Sequence, residues 1–218
     1  MVPPKPAGVR RRKRNRHDAA HHRNQTPQIV LSEFVLFGHS LIVDAFSIEE
    51  ILRLLAAAKA EDEGDWLLIA TTFLHALRAS EAVGIKGDNI VGDYLVLRRG
   101  KHSKPVRRLL VEHANPLLNE RQAMFDCARR TPRNQRLFPM TTRTFQRKMH
   151  RYGKAAGLAD LLCHPHALKH SILSHLVETM SLREVQEISG HKSLGSLGIY
   201  LHPKAAQVEA KFRAALKV

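Results

Sequence analysis

Four short stretches of this chain carry side chains suited to chemistry on an anion. Leu77-Arg78-Ala79-Ser80-Glu81 ends an apolar helical stretch with an arginine. Such an arginine either snorkels to solvent or aims its planar fork at a phosphate, and Glu81, three positions on, could hold it in place. Gly100-Lys101-His102-Ser103-Lys104 is a lysine-bearing turn. It reads either as a soluble turn or as one whose Lys101 reaches a nucleic-acid backbone or protonates a leaving oxygen. His164-Pro165-His166-Ala167-Leu168-Lys169-His170 packs three of the chain's 14 histidines into one window. His166 and His170, at i and i+4, share a helical face, yet Ala167 stands where a zinc-protease helix carries its glutamate. No cysteine or carboxylate cluster supplies further ligands, so no metal is assigned. His166 and Lys169, at i and i+3, could instead face one anion. The fourth stretch is Ile188-Ser189-Gly190-His191, followed nine residues after His191 by Tyr200. A lone tyrosine beside an apolar helix usually packs with its hydroxyl tethered, but Gly195, Gly198 and Pro203 around it argue for a local break that exposes it.

Mostly helical elements must position these groups. Ser47 and Glu50 form a capping-box start, and ILRLLAAAKA continues that helix to a break at Glu63-Gly64-Asp65. A second apolar helix runs from Trp66 to about Leu77. Residues 93–99 and 105–111 are β-rich around the lysine turn and predict a hairpin. Helical patterns return over Asn115–Arg130, Thr142–Ala156, Pro165–Met180 and Ser181–Ile188, and a last one runs from Pro203 to Leu216. The predicted fold is mainly α with a small antiparallel sheet, an α+β domain over 46–218.

Composition narrows the partner. Lys and Arg total 35 against 20 Asp and Glu, a formal charge of +15, which favours polyanions such as nucleic acid or an anionic membrane surface. No stretch reaches the roughly 18 apolar residues of a spanning helix, and no apolar segment follows the basic start as a signal peptide requires. Cys127 and Cys163 show no pairing pattern, as in a cytosolic protein. Residues 1–28 hold eight basic residues and one acid, +7 of the total, with four prolines. They predict a disordered basic tail, either a solvated extension or an arm along DNA phosphates; residues 29–45 read as a linker into the domain.

Taken in order, LRASE, GKHSK, HALKHSILSHL and SGHKSLGSLGIY resemble the arginine box, β-hairpin lysine loop, His-x-x-Arg box and Gly-His box with nucleophilic tyrosine of the tyrosine recombinase or phage integrase catalytic domain. The resemblance implies a site-specific recombinase that cleaves and rejoins double-stranded DNA through a 3′-phosphotyrosyl intermediate, with no cofactor and no metal. By position, Tyr200 would be the nucleophile, Arg78 would bind the phosphate and Lys101 would protonate the leaving 5′-oxygen. His166 would accept or orient the tyrosine proton, and Lys169 and His191 would complete the cradle. It also implies a tetrameric synapse, with helix 203–217 docking on a neighbouring protomer or packing on its own domain, and a cytoplasmic enzyme held at the nucleoid by DNA.

Two departures from the family pattern stand out. Lys169 occupies the position where the family box ends in arginine, and lysine lacks the bidentate fork. Only 45 residues precede the expected catalytic domain, fewer than the usual separate N-terminal core-binding domain needs, so the reading is either a recombinase reduced to its catalytic domain or a fragment of a longer gene product. A DNA-binding protein on a recombinase scaffold that no longer cuts, and a type IB topoisomerase-like relaxing enzyme, are the rival readings.

Overall fold

The computed structural model describes residues 45–98, 105–191 and 193–200, together with Met1, Phe212, Arg213 and Leu216. The basic tail, Lys101 and most of the expected helix 203–217 lie outside the described residues. All described residues except Met1 belong to one unit, residues 39–218.

Helix α1 spans Ile48–Glu61 and begins with the anticipated capping box: Ser47 Oγ accepts from the Glu50 amide, and the Glu50 carboxylate accepts from the Ser47 amide. Asp62 then serves two helices. It ends α1 and caps α2 (Glu63–Leu74), its carboxylate accepting from the Asp65 amide at 2.8 Å. The expected break at 63–65 is therefore only one residue wide, because this side-chain cap starts the new helix at once. Apart from its first two residues and Leu74, α2 is buried throughout, as a helix apolar on every side must be. A short α3 (Ala79–Ala82) follows, a single turn too brief to show a period.

The hairpin is present, with one strand more than the pattern predicted. β1 (Ile90–Val91), β2 (Tyr94–Arg98) and β3 (Pro105–Leu109) form an antiparallel sheet in that order. β2 pairs with β3 from Tyr94 opposite Leu109 to Arg98 opposite Pro105. Leu95 and Leu97 turn inward to the core. β1 has two residues, too few to display alternation.

Helix α4 begins at Arg121 and runs to Arg130, six residues later than its periodicity suggested. Asn115 explains the delay: its side chain accepts from the Leu117 amide and its carbonyl from Leu118, a local turn that competes with the helix. α5 (Thr142–Ala155), α6 (Pro165–Thr179) and α7 (Leu182–Ser189) follow within a residue or two of their expected limits. A 3-10 helix, Leu194–Tyr200, closes the continuous description.

Two apolar clusters meet along α6. The larger joins α1, α2, the sheet, α4 and α5, and takes Ala167 and Leu168 from α6. The smaller gathers Ala76, Leu173, Val185, Leu197 and Tyr200. One helix thus registers the site-bearing corner against the core. Its own entry is set by α5, because Gly153 lies where an added Cβ would stand 2.1 Å from Cys163 Sγ. Only glycine permits that approach.

Candidate active site

Four of the six expected site residues are described around α6, and Arg78 is described beside them. Arg78 caps the start of α3, exposed, with its guanidinium on Glu81 at 3.2 Å and its amide donating to the same carboxylate at 2.8 Å. The turn that presents it is unusual. Ala76 has φ +50, a left-handed conformation seldom taken by residues with a Cβ, and the neighbouring His75 and the Thr71 hydroxyl meet the buried Glu120 carboxylate at 2.5 and 2.6 Å. Burial alone would raise the Glu120 carboxyl, but His75, Thr71 and the Val111 amide hold it below its ordinary value.

Helix α6 opens on His164, whose Nδ1 accepts from the Ala167 amide, with Pro165 in the first turn. His166 and His170 stand one turn apart as the spacing required, their rings 4.2 Å between centroids and edge-on. The tyrosine, however, meets His170: Tyr200 Oη lies 2.6 Å from His170 Nδ1. His166, the expected proton partner, is on the exposed side of the pair. His170 is the functional candidate that sequence reasoning did not select. The signal available was its helical register with His166, which makes either imidazole reachable from one point.

Electrostatics reinforce this pairing. Burial, followed by the charges of His166, His164, Lys169 and His191, depresses His170 to about 4. The ring is therefore neutral at pH 7 and keeps an acceptor nitrogen for the phenol. His166 is lowered in the same way, by burial and then by His164, Lys169 and Arg78. Tyr200 is only 4% exposed, and burial pushes its phenol up to about 12. The permanent cations among these neighbours are Lys169, which acts on both imidazoles, and Arg78, which acts on His166.

His191 follows the left-handed Gly190 (φ 66) that ends α7. Its Nδ1 lies 2.6 Å from Ser189 Oγ, and its carbonyl accepts from the Gln186 side chain at 3.0 Å. The ring is thereby oriented through one nitrogen. Lys169 is placed differently from the expectation. It is 1% exposed, and its Nζ donates at 3.0 Å to both the Ala76 and the Ser189 carbonyls. Arg108 on β3 is half-buried and donates to the Glu187 carbonyl, tying the hairpin to the end of α7. Among the described residues, no group of three or more His, Cys, Asp or Glu side chains could hold a metal ion, and no helix is long and apolar enough to cross a membrane.

The fold around this site is that of recombinase catalytic domains. The XerH site-specific recombinase bound to its difH substrate superposes with a TM-score of 0.63 at 21% identity, over 77% of this chain and 53% of that one. A lambda integrase tetramer bound to a Holliday junction gives 0.57 at 20% identity, over 73% of this chain and 48% of that one. In sequence, tyrosine recombinase XerA of Thermococcus kodakarensis is 30% identical over 179 residues, 77% of this chain and 62% of that protein. The signature of the phage integrase family matches residues 45–207. The chain belongs to that family, the tyrosine recombinases, and it spans less than two thirds of the length of each relative just named.

Proposed function

We propose that the protein is a site-specific DNA recombinase whose catalytic domain covers residues 46–218. In the proposed reaction Tyr200 Oη attacks the scissile phosphorus and forms a 3′-phosphotyrosyl bond as the bond to the 5′-oxygen breaks. The phenolic proton passes to an imidazole, His170 or His166, and the departing 5′-oxygen takes a proton from Lys101. Reversal by a 5′-hydroxyl rejoins the strand, and because the phosphoester energy is retained no nucleotide cofactor is consumed. Arg78 supplies a fixed positive donor and His191 a ring N–H donor to the non-bridging oxygens, where charge must be stabilised at the transition state.

The observation that carries this reading is the Tyr200 hydroxyl on His170 within a surround of Arg78, His166, Lys169 and His191. A phenol with an ordinary pKa near 10 needs an acceptor and nearby cations to become a nucleophile. Double-stranded DNA as partner agrees with the +15 charge. Residues 1–28 would add a salt-sensitive grip that does not depend on sequence. Helix 203–217 would join protomers of a tetrameric synapse, and DNA would hold the enzyme at the nucleoid.

The test is phosphotyrosyl trapping on a library of nicked suicide duplexes with a randomised core. Wild-type protein is expected to form a covalent adduct, and Tyr200→Phe none. An adduct that survives Tyr200→Phe overturns the nucleophile assignment, and salt-dependent binding without any adduct favours a non-cutting DNA-binding protein.

A further inference from the structure

We propose that Lys169 is a positioning residue: its ammonium bolts together the two backbone turns that carry Arg78 and His191 and does not itself meet the scissile phosphate. The inference rests on the strand-cleavage reading above. Lys169 is 1% exposed, whereas Arg78 of the same site is exposed. Two of the three Lys169 donors are directed at carbonyls, Ala76 and Ser189, each at 3.0 Å. A buried ammonium requires such acceptors, since without them the charged form is strongly disfavoured.

Each carbonyl belongs to a turn that needs holding. Ala76 is two residues before Arg78 and sits at φ +50, so the route into the arginine is one the chain does not choose unaided. Ser189 is two residues before His191, and its hydroxyl lies 2.6 Å from His191 Nδ1. Lys169 therefore reaches the arginine turn on one side and the histidine turn on the other. The residue type follows from this geometry. A compact ammonium can point separate donors at two carbonyls arriving from different elements, whereas the planar guanidinium fork suits paired oxygens in one plane.

Adduct rates on two suicide duplexes decide the matter, one with a natural scissile phosphate and one with a methylphosphonate, which lacks the negative charge. Lys169→Met is expected to form adduct roughly ten- to a hundredfold more slowly than wild type. The deficit should agree within about threefold on the two duplexes, because a displaced turn harms both alike. The Arg78→Ala deficit should shrink on the methylphosphonate, as expected for a lost phosphate contact. A Lys169→Met deficit that shrinks by more than about threefold on the neutral duplex overturns the proposal. If Lys169→Met does not fold, Lys169→Arg, which keeps the charge and the donors, takes its place. It is expected to be slower on both duplexes, and a gain over wild type on the natural phosphate overturns the proposal. A wild-type protein that forms no Tyr200-dependent adduct overturns the strand-cleavage reading instead.

Discussion

Tyr152 and Tyr200 are both buried, and both have phenols pushed up to about 12, yet their surroundings differ. Tyr152 Oη donates to the buried Asp65 carboxylate at 2.5 Å, and Lys148 pairs with the same carboxylate. Burial and then the Asp65 hydrogen bond raise its pKa, against the opposing pull of Arg151, which donates to Tyr152 Oη at 2.6 Å. Tyr200 Oη instead pairs with a neutral imidazole, and burial alone raises its pKa. The permanent cation that acts on that imidazole is Lys169. The first arrangement stabilises the neutral phenol permanently. In the second, burial is what opposes ionisation, and no carboxylate contributes to the shift of the phenol or of its imidazole partner. A pKa value by itself does not distinguish the two tyrosines; the group that their hydroxyls meet does, a carboxylate and a guanidinium for Tyr152 and an imidazole for Tyr200.

The contrast can be broken at several points. Arg78→Ala has the largest expected effect: a loss of about 2.7–4 kcal/mol of transition-state stabilisation, read as a 10²–10³-fold slower adduct rate. Its melting temperature should hardly move, because an exposed ion pair such as Arg78–Glu81 contributes about 0–1 kcal/mol. Tyr152→Phe should do the reverse. It leaves the Asp65 carboxylate short of a donor and costs about 1–3 kcal/mol in urea unfolding, with the adduct rate unchanged. If Tyr152→Phe slowed the chemistry as much as Arg78→Ala, the division between the two tyrosines would collapse.

The smallest effect concerns pH. His170 titrates near 4 in the folded protein against an ordinary 6.5. Between those values the unfolded chain binds the proton and the folded one does not. Stability from this residue is therefore complete above about 6.5 and declines as pH falls toward 4. Melting temperatures at pH 7 and pH 4.5 should differ more for wild type than for His170→Gln. Equal differences would mean that His170 is not held neutral by the site.

Much of this was legible along the chain because it depends on local spacing. The capping box at Ser47, the hairpin around the lysine turn and the i,i+4 pairing of His166 with His170 all need only near neighbours. The delayed start of α4 and the immediate start of α2 were missed for a related reason. A single side chain, Asn115 or Asp62, hydrogen-bonds to the backbone and moves a helix limit that periodicity alone cannot locate. Tyr200 stood out through its interval from His191, but its partner did not. Two imidazoles on one helical face are equivalent until the 3-10 turn is packed against one of them.

Residue order alone thus determined the family and the α+β class, and nominated a set of candidate groups, because each is written in types and intervals. Tertiary structure alone decided what those groups face. It put the phenol on His170 rather than His166, turned Asp65 toward Tyr152, and placed the Lys169 ammonium between two carbonyls 93 and 20 residues away along the chain. The physical reason is that burial and the sign of the local charge are properties of packed neighbours, and no interval along the chain encodes which distant backbone atom a buried cation must satisfy.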